Sequence, residues 1–279
     1  MPDAAATVLD RLASGWGRIE LPLLVVAAHP DDEVIGLGGL LPRFRDAAVL
    51  HTTDGAPRDG RDAAAHGFAD PAAYAAARRG ELLAALRLAG VGAGRALGLG
   101  VPDQEAALHL PDLARGIARV VAELRPALIV THTYEGGHPD HDATAFAVHA
   151  ALRLLGPSPP RPALLEMAGY HAGADGGMAV GRFLPAEGGV APPVPIALPP
   201  EARALKRRMI GCFVTQREVL AAFPAGDAES MRAAPPYDFT RPPHPGRLHY
   251  ENHPWGMTGA RFRRFAAEAL RDLGLEGAA

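Results

Sequence analysis

Short apolar runs alternate along this chain with stretches of helical periodicity. The run Leu23–Ala28 is preceded by Pro22 and followed by a polar turn, which is typical of a strand buried on both faces of a parallel sheet. Ala47–Thr53, Ala127–Thr131 and Ala163–Met167 repeat the pattern, with amphipathic segments between them. Strands that alternate with helices of this length predict βαβ units. We therefore expect an α/β fold with a mostly parallel sheet flanked by helices.

The last third of the chain has a different composition. Gly and Pro are frequent beyond residue 172, around two extended pieces near Val180–Leu184 and Val194–Leu198 that predict a small hairpin packed on the main sheet. A helix with an apolar face follows from Leu205 to Phe223, and the Pro-rich segment Pro224–Pro254 is expected to be an irregular loop. These patterns predict one domain over residues 1–279, with an α/β core at about 20–172 and an extension at about 173–279.

Composition restricts the ligands and partners that such a domain can have. Cys212 is the single cysteine, which excludes an internal disulfide and a zinc site built from several cysteines, so His and carboxylates would have to bind any metal. The net charge of −3, without clusters of Lys and Arg, argues against nucleic acid as a partner. The absence of a signal-like or membrane-spanning apolar run predicts a cytoplasmic protein with no membrane partner. The Pro-rich segment Pro224–Pro254 is a candidate subunit contact in a homo-oligomer.

The most informative stretch is Ala28–Glu33, which directly follows the first predicted strand. His29, Asp31, Asp32 and Glu33 are four ionisable residues within five positions of a turn. Ligands of open α/β sheets bind beyond the carboxyl ends of the strands. Adjacent carboxylates repel each other unless a cation or a shared proton offsets their charge, and a histidine two residues earlier is a natural co-ligand. We expect chemistry, rather than a solvated turn, at this position.

A second cluster, Gly136–Asp142, follows the predicted strand Ala127–Thr131 and opens a helix. It places His138 and His141 three residues apart, so both side chains can face one point. Two such clusters at equivalent strand ends predict a mixed His/Asp metal site. Three protein ligands of the type His, Asp, His, with an open fourth position, are the pattern of catalytic zinc.

These residues also carry a family resemblance. Ala28–Glu33 and His138–His141 resemble the two signature motifs of the PIG-L or LmbE-like family of zinc-dependent N-acetylglucosaminyl de-N-acetylases. The similarity covers roughly residues 22–220. It includes shorter matches at Thr53-Asp54-Gly55, Arg78-Arg79-Gly80-Glu81, Val101-Pro102-Asp103 and Lys206 with Thr215-Gln216, where the family usually has Ser-Gln.

The resemblance implies a Rossmann-like domain that removes an acetyl group from an N-acetylglucosamine-type amine, a small-molecule amino sugar or its conjugate. It implies that His29, Asp32 and His141 bind Zn²⁺ and that Asp31 is the general base. The chemistry agrees, because amide hydrolysis at neutral pH needs an activated water and a cation at the developing oxyanion.

By the same resemblance, His138 would stabilise the oxyanion and Asp140 would hold His138 in orientation. Arg78 and Asp103 would contact the sugar. The proton that the leaving amine requires could come from Asp31 or from a charged His138, and the sequence leaves both donors open.

Other polar residues near the strand ends have ordinary structural interpretations. His51 lies within a strand and is expected to be packed or hydrogen-bonded, whereas His132 lies close enough to its strand end to line the crevice. Glu33 is as suited to a structural role as to direct participation in the chemistry of the site. Cys212, on the apolar side of a predicted helix, is expected in the core.

Three alternative functions remain at this point. The two clusters define the reaction and not the leaving group, so an amide hydrolase acting on a non-sugar acyl amine is the main alternative. The glycines of Gly36–Gly39 and Asp54 suggest a dinucleotide site, but the first glycine lies seven residues beyond His29 and Asp31 and Asp32 would face the pyrophosphate. An inactive binding homologue is disfavoured because Asp31 is present.

Overall fold

The computed structural model describes residues 4–156, 161–173, 177–185 and 191–276. Its strands are β1 (Leu23–Ala27), β2 (Ala47–Pro57), β3 (Ala96–Asp103), β4 (Leu128–Thr131), β5 (Ala163–Met167), β6 (Tyr170–Ala172), β7 (Met178–Val180), β8 (Val194–Ala197) and β9 (Ala228–Ala233). Its helices are α1 (Ala4–Ala13), α2 (Asp32–Leu37), α3 (Arg61–Ala65), α4 (Pro71–Leu88), α5 (Leu110–Leu124), α6 (Pro139–Leu154), α7 (Pro200–Ile210), α8 (Arg217–Leu220) and α9 (Gly259–Asp272).

Seven of the described strands form one sheet in the order β3-β2-β1-β4-β5-β9-β8. The first five of this order run parallel, whereas β9 pairs antiparallel with both β5 and β8. The mostly parallel α/β fold expected from the alternating pattern is confirmed.

Strand β1 is buried on both faces of the sheet. Leu23, Val25 and Ala27 belong to one core, to which α1, α2, α4 and α7 contribute. Leu24 and Val26 belong to the other core, with α5, α6 and α9. Each fully buried Leu or Val side chain stabilises the fold by about 1.5–3 kcal/mol. This two-sided burial explains why β1 is a continuous apolar run rather than an alternating one.

The chain order reverses between β1 and β4. From β1 the chain proceeds to β2 and β3 on one side, and then returns to place β4 on the other side of β1. In open α/β sheets the crevice at such a reversal, beyond the carboxyl ends of the strands, is where ligands bind. Both sequence clusters follow these two strands, so the topology brings them to the same crevice.

The predicted hairpin is wrong. Val180, from the first extended piece, pairs with Tyr170, whereas Val194, from the second piece, pairs with Met231 of β9. The second piece therefore becomes the edge strand β8 of the main sheet. Proximity in sequence favoured pairing of the two pieces, but tertiary contacts gave each a different partner.

The segment Pro224–Pro254 is not wholly irregular, because it contains β9. The sequence of β9 alternates poorly in polarity, since it carries Glu229 and Arg232, and both side chains are buried. Glu229 accepts a hydrogen bond from Lys206 at 2.7 Å, and Arg232 donates to Glu166 at 2.8 Å. A strand whose buried side chains are charged and paired cannot be recognised from apolar periodicity.

The long helix predicted from Leu205 to Phe223 is also interrupted. α7 ends at Ile210, a 3₁₀ turn spans Val214–Gln216, and α8 then begins at Arg217. The apolar residues of the prediction nevertheless reach the core. Cys212 is half-buried and packs against the same core.

The glycine-rich run after the first strand permits close packing. A Cβ on Gly36 would lie 2.7 Å from Cγ of Met167 on β5, and a Cβ on Gly39 would lie 2.8 Å from Cδ1 of Leu198. Gly36 and Gly39 therefore allow these side chains to pack closely against α2 and the turn that follows it. No helix within the described ranges is both long and apolar enough to cross a membrane.

Candidate active site

The site is built at the carboxyl ends of β1, β3 and β4. His29 lies two residues beyond β1, Asp103 is the last residue of β3, and His132 directly follows β4. His138 is the N-cap of α6, and His141 lies in the first turn of this helix. We refer to these five residues together with Asp32 and Asp140 as the His/Asp cluster. The parallel topology brings its members together although they are up to about 110 residues apart in sequence.

Asp31 has a strained main chain. Its φ of 138° lies in a region that L-residues rarely adopt, at the turn that starts α2. The Asp31 N–H donates to Oε2 of Glu33 at 3.1 Å, and its carboxylate accepts from Nη2 of Arg78 at 2.9 Å. Strain of this kind persists only where neighbouring contacts enforce it, and it clusters at functional sites.

Asp32 lies between two histidines. One carboxylate oxygen is 3.1 Å from Nδ1 of His29 and the other is 3.2 Å from Nε2 of His141. The oxygen beside His29 also accepts the main-chain N–H of that residue at 2.8 Å. Burial alone would raise the pKa of Asp32, but the nearby His141, His132 and His29 lower it well below its ordinary value. Asp32 is therefore held as a carboxylate.

His29 is surrounded by carboxylates. Its Nε2 lies 3.0 Å from Asp103 and 3.2 Å from Asp140, while its Nδ1 faces Asp32. Burial opposes a charge on this ring, yet Asp103 and Asp32 raise the pKa of His29 well above its ordinary value. The surroundings of His29 thus favour positive charge, as a proton or as a cation.

The hydrogen bonds around His138 define its tautomer. Nδ1 of His138 accepts the main-chain N–H of Asp140 at 3.2 Å, so the proton of the neutral ring is on Nε2. Burial and the neighbouring His29 lower the pKa of His138 well below its ordinary value. His138 is therefore a neutral hydrogen-bond donor through Nε2.

Asp140 holds the cluster in a different way from that expected. Its N–H bonds to His138, but its carboxylate accepts from the main-chain N–H groups of Gln104 at 2.6 Å and Ala106 at 3.1 Å and lies beside His29. This carboxylate connects the start of α6 to the segment that follows β3.

His132 belongs to the cluster, although the sequence marked it only as close to the crevice. Its ring stacks on that of His141, with centroids 4.0 Å apart and planes at 12°. Nε2 of His132 accepts the main-chain N–H of Ala28 at 2.9 Å, so the lone pair of this nitrogen is occupied. Burial and His141 lower the pKa of His132 to about 4. His132 is a neutral ring that supports His141.

Arg78 is buried although it is a charged residue on α4. Besides the carboxylate of Asp31, it donates to the main-chain oxygens of Pro30 and Gly55. Asp31 and Asp103 keep the pKa of Arg78 above its ordinary value despite burial. Arg78 therefore fixes the position of Asp31 while it also lines the cavity described below.

The donor atoms fit a metal ion. Within the described residues, three sets of side chains place ligand atoms within 4.8 Å of one another, and imidazole and carboxylate groups are the ligands that zinc prefers when thiolates are absent. The sets are His29, His138 and His141, then His29, Asp103, His138 and Asp140, then Asp32, His132 and His141. The expected ligands His29, Asp32 and His141 are divided between the first and third sets, which share His141.

A cavity of about 440 Å³ opens onto the cluster. Asp31, Asp32, Arg78 and Asp103 line it together with three histidines of the cluster. Tyr170, Gln216, His249, His253 and Trp255 also contribute to its walls. A cavity of this size is typical of small-molecule sites. Gln216 belongs to the short Thr215-Gln216 match, whereas the other four have no motif that would reveal them in the sequence.

Comparisons with known proteins agree with this geometry. Residues 24–152 match the model of the PIG-L family, described as GlcNAc-PI de-N-acetylase. The chain is 33% identical over 157 residues to "1D-myo-inositol 2-acetamido-2-deoxy-alpha-D-glucopyranoside deacetylase 2" of Saccharopolyspora erythraea, covering 48% of this chain and 56% of the relative. It is 34% identical over 136 residues to "Probable N-acetyl-alpha-D-glucosaminyl L-malate deacetylase 2" of Bacillus subtilis, covering 47% of this chain and 60% of the relative. The alignments therefore span about half the length of these curated relatives.

Solved structures share the fold. A zinc-inhibited form of teicoplanin deacetylase superposes with a TM-score of 0.56 at 18% identity, covering 76% of this chain and 97% of the other. The N,N'-diacetylchitobiose deacetylase of Pyrococcus horikoshii superposes with a TM-score of 0.52 at 18% identity, covering 76% and 84%. At these identities the likeness is one of fold. Residues 24–152, which carry both His/Asp motifs on the central parallel strands, form a PIG-L family domain.

Proposed function

We propose that this protein is a zinc-dependent hydrolase that removes the acetyl group from an N-acetylglucosamine-type amino sugar conjugate. The observation that supports this most is the arrangement of Asp31. Its carboxylate lies in the cavity beside the His/Asp cluster, in a strained conformation held by Arg78 and Glu33. The curated relatives have names that describe deacetylases of glucosaminyl conjugates with inositol and with malate.

The proposed metal ligands are His29, Asp32 and His141. The Asp32 carboxylate approaches both histidines, and Nε2 of His132 is engaged by a main-chain N–H. When bound there, Zn²⁺ supplies a Lewis acid that activates water and polarises the amide carbonyl. The charges of Asp103 and Asp140 around His29 favour a cation at this place.

Asp31 is the proposed general base. Burial raises the pKa of its carboxyl group to about 8, with Arg78 opposing the rise. A carboxylate with a raised pKa accepts a proton from water more readily near neutral pH and can return it to the leaving amine. The neutral tautomer of His138 supports Asp31, rather than a charged His138, as the donor of that proton.

His138 is proposed to stabilise the oxyanion. Its Nε2–H is the free donor of a neutral ring, because Nδ1 already accepts from the main chain of Asp140. Asp140 thus orients His138 through the N–H of its main chain. Arg78 and Asp103 line the cavity and are proposed to contact the sugar. For Arg78 this contact would come in addition to its bond to Asp31.

The proposal is tested with the purified protein. We expect about one zinc per chain, acetate release from N-acetylglucosaminyl inositol or malate, and loss of that release on chelation, as catalytic zinc sites require. N-acetyl amino acids serve as the non-sugar comparison. A metal-loaded protein that releases acetate only from the non-sugar compounds would favour the alternative amide hydrolase, and a bound nicotinamide cofactor would contradict both.

A further inference from the structure

The cavity has one apolar part, which the proposed chemistry does not use. We call it the apolar wall and define it as Ile35, Met178, Val219, Leu220, Ala222 and Phe223. These residues come from α2, β7 and the segment around α8. One charged lining residue, Glu218, also belongs to α8, and the others come from the start of α2, α3, α4 and the end of β3. A hydroxyl-rich sugar would gain little from such a surface.

The apolar wall adjoins the His/Asp cluster. The ring of Tyr170 lies 5.3 Å from that of His141, and the ring of Phe223 lies 5.5 Å from that of Tyr170. Leu220 and Phe223 are buried in the first core, which fixes their positions. A ligand whose amide reaches the cluster would therefore place a neighbouring group against this wall.

Part of the wall is exposed to solvent. Val219 is 58% exposed and Met178 is 37% exposed, and both belong to the small group of large apolar side chains with such exposure among the described residues. Single exposed apolar residues are common on protein surfaces. Val219 and Met178, however, line the same cavity as the buried Leu220 and Phe223, so a ligand there can remove their exposed apolar surface from water.

We propose that the substrate carries an apolar substituent, an alkyl chain or a ring, close to the scissile amide, and that the apolar wall binds it. This inference rests on the proposed deacetylase function and narrows its substrate class. The substituent is part of the aglycone, or part of an acyl group that is longer than acetyl, because both lie near the amide of an N-acylated amino sugar.

Two substrate series distinguish these sources. One lengthens the aglycone, from methyl to butyl to octyl glycosides of N-acetylglucosamine, below the concentration at which they form micelles. The other lengthens the acyl group of the methyl glycoside, from acetyl to butyryl to octanoyl. A fully buried methylene is worth about fourfold in affinity. We expect kcat/KM to rise at least about tenfold from the shortest to the longest member of one series. Values that stay flat or fall in both series would overturn the inference.

Val219→Ser tests the wall directly, and Val214→Ser is its matched control. Both valines are 58% exposed, but Val214 is not part of the cavity lining. We expect Val219→Ser to lower the preference for the long substrate about threefold or more, since the contact with one side chain is lost. Val214→Ser should keep the preference. Equal effects of the two substitutions would argue against the wall.

Binding measurements separate this inference from the proposed function. Calorimetric titration of the wild-type protein with the methyl, butyl and octyl glycosides reports affinity whether or not acetate is released. Affinity that rises with chain length and falls in Val219→Ser supports the wall even if the reaction is a different one. Absence of binding overturns the proposed role of the wall even if acetate is released. The same holds if affinity does not depend on the length of the aglycone and kcat/KM does not depend on the length of the acyl group.

Discussion

Nε2 of His51 lies 2.9 Å from Oε2 of Glu33, and the same carboxylate oxygen accepts the main-chain N–H of Asp31. His51 and Glu33 are both buried, the first on β2 and the second on α2. This contact ties the strained turn of Asp31 to the neighbouring strand of the sheet. The pair does not line the cavity, so we assign it a positioning role.

Replacement of His51 tests that role. In His51→Phe the Glu33 carboxylate loses its buried partner, which should cost about 1–3 kcal/mol of stability. The turn of Asp31 would be less well held, and a misplaced base should lower kcat about tenfold to a hundredfold with little change in KM. Steady-state kinetics and urea unfolding measure the two effects.

His51→Gln is the control, because its amide can still donate to Glu33. We expect it to recover part of the lost kcat. If kcat is unchanged in His51→Phe while stability falls, the pair has a structural role only.

Asp31→Asn and His141→Ala separate the base from the metal ligands. Asn keeps the shape of Asp31 and can still accept from Arg78, but it cannot take a proton from water. We expect Asp31→Asn to retain zinc and to lose about 10²–10⁴-fold in kcat. His141→Ala should lose both zinc and turnover, because a ligand is removed. Metal analysis of both purified variants decides the assignment, and loss of zinc in Asp31→Asn would show that base and ligand are exchanged.

Gly55→Ala tests the placement of Arg78. Gly55 has φ of +72°, and a Cβ there would lie 2.6 Å from Cζ of the Arg78 guanidinium. We expect a loss of about 3 kcal/mol in the free energy of unfolding together with lower kcat, because Arg78 must move away from Asp31. Gly100 has the same φ but no atom within 4 Å of an added Cβ. Gly100→Ala should therefore lower the free energy of unfolding by only about 1 kcal/mol and leave kcat unchanged. Similar losses in the two variants would contradict the contact.

The stability of the protein should depend on pH through His149. Burial lowers the pKa of this side chain on α6 to about 4, from 6.5 in the unfolded chain. Between these values the unfolded state binds more protons than the folded state, so stability falls as the pH drops from 6.5 to 4.

His149→Phe removes this titration and keeps an aromatic ring against Tyr237 and Phe239. The side chain of His149 keeps some exposure to solvent, which reduces the effect of burial. We therefore expect the free energy of unfolding of the wild type to fall by about 2 kcal/mol more than that of the variant between pH 6.5 and pH 4. Urea unfolding at pH 7, 5.5 and 4 measures the difference. Parallel curves for the two proteins would exclude a depressed pKa at His149.

The parallel strands β1, β2, β4 and β5 were predictable because they are almost completely buried and their sequences contain continuous apolar runs. The fifth parallel strand, β3, is half-exposed at the edge of the sheet, and its apolar pattern did not reveal it. β9 was not predictable either, since Glu229 and Arg232 point to partners that only the tertiary structure supplies. The pairing of β8 could not be predicted from the sequence for a related reason. Its partner is β9, more than 30 residues later in the chain, and nothing local in either segment specifies the match.

The residues of the candidate site divide in the same way. His29, Asp31 and Asp32, like His138 and His141, lie in two short segments that are dense in ionisable groups at a strand end, so the sequence alone predicted one metal site there. The role of Asp31 as the base follows from the family resemblance, and both assignments stay predictions. The stacking of His132 on His141, the bond from Arg78 to Asp31 and the apolar wall came only from the tertiary structure. Their partners belong to elements that are distant in the chain, and the strand order of the sheet brings those elements together.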